Sequence, residues 1–215
     1  MTMWLKICGV TRAEDAEAAV QAGASAVGFV FWNRSRRCVT TRQAREIGER
    51  LPPAVERAGV FVDACREEIV RVVDEAGLTW CQLHGEEDLD LARSLGVPWV
   101  KAHRVGAGGM PPGFDDLVRE AHGRRFMLDT FVAGTPGGTG RTFDWSAASP
   151  YRDAAAPLGG AMILAGGLTP ENVARAVAGA RPFGVDVSGG VESAPGIKDL
   201  EKIRRFAAAL GEAAP

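Results

Sequence analysis

Residues 4–15 read WLKICGVTRAED. A strand-like run over 4–8 ends on Cys8, and Gly9 and Thr11 lead into a helical pattern over 12–22. In a doubly wound dinucleotide-binding sheet, the turn after the first strand carries a glycine fingerprint that opens onto a helix. Here that turn is CGVTRAED, which lacks the fingerprint. The open sheet therefore loses its expected signature, and a thiol stands at the strand end instead.

The rest of the chain repeats this strand-then-helix order. Strands are predicted over 4–8, 26–32, 58–63, 79–84, 99–105, 125–129, 161–166 and 183–188. Most are too continuously apolar for a sheet with one wet face, which suits parallel strands covered on both sides. Thr11 and Glu14 form a candidate capping box for the helix over 12–22, stopped by Gly23. Helices follow from Thr40 to about 50, over 66–76, 86–95 and 114–121, over 170–178 behind Thr169-Pro170, and near 198–210. The helix after strand six is the weakest in pattern. Eight strands alternating with seven or eight helices in 215 residues predict a single (β/α)8 TIM barrel domain over 1–215. The long connection is TFVAGTPGGTGRTFD, residues 130–144, and a glycine-rich loop of that length is usually functional.

Composition narrows the function. With 25 basic and 27 acidic side chains, the balance selects neither nucleic acid nor an anionic membrane as partner. No apolar run approaches a membrane span. The four cysteines, Cys8, Cys38, Cys65 and Cys81, have neither disulfide-framework nor metal-ligand spacing. We expect a cytoplasmic protein with no metal.

Barrel chemistry gathers at the C-terminal ends of the strands. Those ends carry Cys8, Arg36 or Arg37, Asp63, Gln82 and His84, His103, Asp129, Gly166-Gly167, Asp186, and Ser188-Gly189-Gly190. The glycines after strands seven and eight leave backbone N–H groups uncovered near helix starts, a cradle for a phosphate ester. Two plain glycine turns are the alternative. Cys8 and Asp129 both end apolar strands and so share one face of the barrel. A thiol and a carboxylate there could act as base and acid if their pKa values are pushed apart; a core thiol is the plainer reading of Cys8. Arg37, beside Arg34 and Arg36, is either a solvated charge or a fork for a carboxylate or phosphate. Gln82 and His84 share a strand face, either as barrel lining or as site residues.

Together these segments resemble the phosphoribosylanthranilate isomerase family of tryptophan biosynthesis. KICGVTRAEDA, VGFVFWNRSRRCV, GVFV, QLHGEE, FMLDT, GGTGRTFDW, LAGGLTPENV, GVDVSGGVE and PGIKD occur in the family's order over nearly the whole chain. The resemblance implies an Amadori rearrangement of a phosphosugar substrate without a cofactor, Cys8 being the general base and Asp129 the general acid. It implies Arg37 as the ligand of the anthranilate carboxylate, and phosphate bound on Gly166, Gly167, Ser188, Gly189 and Gly190. Gly9 would keep the backbone clear of the sugar, Gln82 and His84 would line the site, and Asp186 would meet the substrate's amine or a ribose hydroxyl. Loop 133–141 would close over it. Two departures stand out: Arg36 occupies the usual proline position, and Gly189 replaces a frequent serine. The family includes monomers and homodimers. The rivals are a sibling isomerase of histidine biosynthesis, a binding protein on an inactive barrel, and a metal-dependent epimerase. The first usually has aspartate at the position of Cys8 and two similar halves. The second needs neither Cys8 nor Asp129, and the third needs more strand-end ligands than His84 and His103.

Overall fold

Strict alternation along β1 (Trp4–Cys8) sends Trp4, Lys6 and Cys8 to one face and Leu5 and Ile7 to the other. The computed structural model describes residues 3–104, 125–129 and 145–213. Eight parallel strands close into a barrel in chain order. After β1 come β2 (Ala26–Val30), β3 (Glu56–Phe61), β4 (Trp80–Leu83), β5 (Trp99–Arg104), β6 (Arg125–Asp129), β7 (Ala161–Ala165) and β8 (Gly184–Val187). β1 closes the ring by pairing with both β2 and β8, so Lys6 stands opposite Ala26 on one side and Asp186 on the other.

Two apolar layers follow from that alternation. Outside the ring, Leu5, Ile7, Val27, Phe29 and their counterparts pack with the helices into one continuous core. Inside, Trp4, Ala26, Ala58, Trp80, Val100, Ala102, Met127, Ile163 and Ala165 form a separate cluster. The small residues on β2 and β3 leave room for two indoles, Trp4 and Trp80, whose ring centroids lie 6.4 Å apart. Cys8, Val30 and Val60 make a third, upper layer beneath the mouth. A side chain fully buried here contributes about 1.5–3 kcal/mol.

Helices α1 (Ala13–Gln21), α2 (Thr41–Gly48), α3 (Arg66–Ala76), α4 (Leu89–Ser94), α5 (Ser149–Ala155), α6 (Val173–Ala180) and α7 (Leu200–Ala213) surround the ring. Thr40 closes a true capping box with Gln43, and Asp88 caps Leu91. Thr11 and Glu14 do not form the expected box. α1 starts at Ala13 with no side-chain cap, and the Thr11 hydroxyl donates to the Gly196 carbonyl at 2.5 Å. A tertiary partner has taken the hydroxyl from the helix. Likewise α6 begins at Val173 rather than 170; Thr169 and Asn172 hold a turn ahead of it, Asn172 Oδ1 accepting from the Thr169 N–H at 2.8 Å.

Several strands stop one or two residues short of their apolar runs, because the final residues turn into the site loops. β3 instead starts early, at Glu56, whose N–H donates to the Ser25 carbonyl. A hairpin unforeseen in the sequence, β9 (Glu192–Ala194) with β10 (Ile197–Lys198), lies between β8 and α7. Asp15 of α1 is wholly buried against it, accepting from the Lys198 N–H and from Arg12. The expected helix over 114–121, the strand end at Val105 and the loop over 130–144 lie outside the described residues. No helix among the described residues is long and apolar enough to cross a membrane.

Candidate active site

Cys8 ends β1 on its inward face and is buried. Burial pushes its thiol up from the ordinary value, and the Lys6 and Lys198 ammonium groups pull against that while the Asp186 carboxylate adds to it. Gly9 turns away from the strand at φ 71°, a conformation that favours glycine. A Cβ there would lie 2.5 Å from Cδ of Arg37 and 3.0 Å from the Ser188 hydroxyl, so the arginine crosses directly over this backbone.

Across the mouth, Asp129 ends β6. Its Oδ2 lies 3.0 Å from His84 Nε2, and His84 Nδ1 lies 2.8 Å from Gln82 Nε2. The Gln82 amide is a donor there, so Nδ1 accepts and the imidazole proton sits on Nε2, donating to Asp129. Gln82 is buried, and its Oε1 accepts from Lys6 Nζ at 2.9 Å. Both ends of that amide are therefore engaged within the protein. His84 and Asp129 remain partly exposed at the barrel top.

Lys6 and Asp186 form an ion pair at 2.8 Å inside the barrel. Burial opposes the Lys6 charge, but Asp186 and Cys8 outweigh it, and its pKa is raised. Asp186 Oδ1 is buried and has no hydrogen-bond partner among the described residues. A buried carboxylate oxygen without a donor is costly unless a ligand supplies one.

Of the two candidate arginines, Arg37 is the one at the mouth; Arg36 is exposed. Arg37 is held by Glu192, its Nε donating to Oε1 at 2.8 Å and Nη2 to Oε2 at 2.6 Å. This bidentate pair occupies one edge of the guanidinium and leaves the Nη1 edge for another anion. Burial raises the Glu192 carboxyl, yet the hydrogen bonds from Arg37 and Lys198 prevail and hold it below the ordinary range. Lys198 Nζ donates at once to Glu192 Oε1 (2.9 Å), to the Cys8 carbonyl (2.5 Å) and to the Ser188 carbonyl (3.3 Å). Lys6, Glu192 and Lys198 escaped the sequence reading. Lys6 had a readable signal, since it lies between Trp4 and Cys8 on the inward face; the other two depend on the hairpin.

The glycine loops after β7 and β8 touch. Gly166 and Gly167 turn through positive φ after β7, and a Cβ on Gly190 would run into the Leu168 carbonyl oxygen. Only glycine allows the loops after β7 and β8 to touch there. The N–H groups of Gly167, Gly189 and Gly190 donate to no group among the described residues. That is the donor arrangement of an anion cradle. His103, by contrast, points away from the site, its Nε2 buried and without a partner among the described residues. Asp63 shapes the loop beneath His84, its Oδ1 accepting from the Glu86 N–H at 2.7 Å. No group of three or more His, Cys, Asp or Glu that could hold a metal occurs among the described residues.

Comparison with known proteins bears on the same residues. Residues 5–209 match the family model described as N-(5'-phosphoribosyl)anthranilate isomerase. The N-(5'-phosphoribosyl)anthranilate isomerase of Pseudomonas fluorescens (strain Pf0-1) is 50% identical over 201 residues, 94% of this chain and 95% of that protein. The solved phosphoribosyl anthranilate isomerase of Thermotoga maritima superposes with a TM-score of 0.84 at 42% identity, covering 98% of both chains. A solved complex of such an isomerase with reduced 1-(o-carboxyphenylamino)-1-deoxyribulose 5-phosphate gives 0.81 at 39% identity, again over 98% of both. The chain belongs to the N-(5'-phosphoribosyl)anthranilate isomerase family.

Proposed function

We propose that Cys8 and Asp129 are the base and the acid of this phosphoribosylanthranilate isomerase. The enzyme is an intramolecular oxidoreductase that converts N-(5'-phosphoribosyl)anthranilate into 1-(2-carboxyphenylamino)-1-deoxyribulose 5-phosphate. The relatives do not favour the histidine-pathway alternative. The carrying observation for the roles is that β1 and β6 end at one mouth, Cys8 beneath it and Asp129 on its rim, with the glycine loops of β7 and β8 between them.

In this reading the phosphate rests on Gly166, Gly167, Ser188, Gly189 and Gly190, and the Nη1 edge of Arg37 takes the anthranilate carboxylate. Asp129 protonates the ribose ring oxygen, the bond from C1′ to that oxygen breaks, and C1′ becomes a Schiff base. The Cys8 thiolate then removes the proton from C2′. The resulting enolamine takes a proton at C1′ and releases one from the C2′ hydroxyl, leaving a ketone. C2′ is oxidised as C1′ is reduced, so the electrons balance within the substrate. The thiol rests protonated, so its proton must leave first, and Lys6 and Lys198 are the cations whose field favours that. Asp186 Oδ1 is the acceptor for the substrate's amine or a ribose hydroxyl. Gln82 and His84 align Asp129 from below. We place the enzyme in the cytoplasm, as a monomer or homodimer, with no nucleic-acid partner.

The test follows loss of anthranilate fluorescence on freshly generated phosphoribosylanthranilate. Wild type should turn over, while Cys8→Ala should fall by about two orders of magnitude in kcat, within the range of a single proton-transfer group. Decay in Cys8→Ala equal to wild type and above the enzyme-free rate would make Cys8 a core thiol only.

A further inference from the structure

A lysine with no exposed surface sits in the centre of the barrel and exchanges no proton in the steps above. Its ammonium has three N–H donors and no acceptor. One donates to Asp186 Oδ2 at 2.8 Å and one to Gln82 Oε1 at 2.9 Å, and Cys8 follows two residues on along the same inward face. Gly28 of the neighbouring strand marks how closely these groups are held. A Cβ on it would lie 2.9 Å from Cys8 Sγ, 2.9 Å from Lys6 Cε and 3.1 Å from Lys6 Nζ.

We propose that Lys6 is the positioning residue of the proton-transfer pair: its ammonium places a positive charge beside Cys8 and sets the sense of the Gln82–His84–Asp129 chain. This rests on Cys8 and Asp129 being that pair. The second effect follows from hydrogen-bond polarity. Because Lys6 can only donate, Gln82 must turn its oxygen toward it and its nitrogen toward His84. His84 must then accept at Nδ1 and donate from Nε2 to Asp129, leaving Oδ1 as the carboxyl oxygen free of the imidazole. An apolar residue at position 6 would let the amide flip and the imidazole change tautomer. The first effect is electrostatic. Cys8 faces Lys6 on its own strand, Asp186 on β8, Lys198 on β10 and Arg37 beyond β2. Among these charges Lys6 acts on the thiol most strongly, and Asp186 opposes it from the other end of the ion pair.

The experiment uses the full chain with Cys38→Ser and Cys65→Ser, and follows alkylation of Cys8 by iodoacetamide as a function of pH, by mass spectrometry. Lys6→Met should raise the pH of half-maximal alkylation by about one unit or more. It should also lower kcat by about tenfold or more while KM changes by less than about threefold, as expected for a residue that acts through the reacting groups. An unchanged alkylation midpoint in Lys6→Met overturns the proposal. Where the single variant fails to fold because Asp186 is left alone, Lys6→Met/Asp186→Asn removes both charges at similar volume, and such replacements are often tolerated. A smaller upward shift is expected there, because the opposing Asp186 charge is lost as well, and its absence again overturns the proposal. Alkylation needs no substrate, so a wild type without turnover would sink the assignment of the pair and leave the effect of Lys6 measurable.

Discussion

His84 Nε2 and Asp129 Oδ2 lie 3.0 Å apart, joining the ends of β4 and β6 across the barrel mouth. The imidazole reaches this position because Gln82, two residues earlier on the same strand face, holds its other nitrogen. Asp129, the acid in the proposed reading, is thus aligned by a strand that supplies no reacting atom.

Asp129→Asn keeps the shape and keeps an oxygen that can accept from His84, but it removes the transferable proton. We expect kcat to fall by about two orders of magnitude or more with the fold retained. Steady-state kinetics beside a circular dichroism melt checks this. Turnover within about threefold of wild type would remove Asp129 from the acid role. In histidine-15N-labelled protein, which has 3 histidines, His84 should give the Nε2–H signature.

Arg37 carries two anions in this reading, Glu192 permanently and the substrate carboxylate in turn. Losing a charge-assisted bidentate contact costs about 1.5–3 kcal/mol, or roughly 10–100-fold in binding. Arg37→Ala should therefore raise KM by at least about tenfold, with a smaller change in kcat. Arg37→Lys should raise it nearly as much, because an ammonium cannot serve both anions in one plane. A KM unchanged in Arg37→Ala would move the carboxylate contact to Arg36.

Gly28→Ala sets two backbone effects against each other. Alanine is worth about 0.5–1 kcal/mol over glycine inside a strand, whereas overpacking a filled interior costs about 1–3 kcal/mol. The new methyl would meet Cys8 and a Lys6 side chain pinned at its far end, so overpacking should win. Urea midpoints should fall and kcat should drop with them. A variant as stable and active as wild type would mean that the barrel centre is looser than its distances imply.

His103 Nε2 is buried and has no partner among the described residues, and burial, aided by Lys101, lowers the pKa of the imidazole to about 4. The unfolded chain binds this proton below about 6.5, while the folded protein refuses it until about 4. Stability is therefore present above 6.5 and lost as pH falls through that window, by as much as about 3 kcal/mol for this group. Urea unfolding at pH 7 and pH 4.5 should give a smaller difference for His103→Leu than for wild type. Equal differences would refute the assignment.

Much of the barrel was legible because strand and helix periods are local. The residues at the strand ends followed from counting, and Cys8, Asp129, Gly166-Gly167 and Ser188-Gly190 all reach one face. The errors were local features overridden by distant ones. Thr11 reads as a helix cap but bonds to Gly196, and residues 192–198, for which no strand is predicted, fold into a hairpin.

By itself the sequence determined the order of strands and helices, the closed parallel barrel and which side chains crown it, because alternation and hydrophobic period are written into neighbouring residues. Only the tertiary structure decided how those side chains are held. Lys6 meets Asp186 across 180 positions of chain, Lys198 reaches the Cys8 carbonyl across 190, and Glu192 fastens Arg37 across 155. Such contacts have no local signature, since each forms only when ring closure brings β8 and its hairpin beside β1.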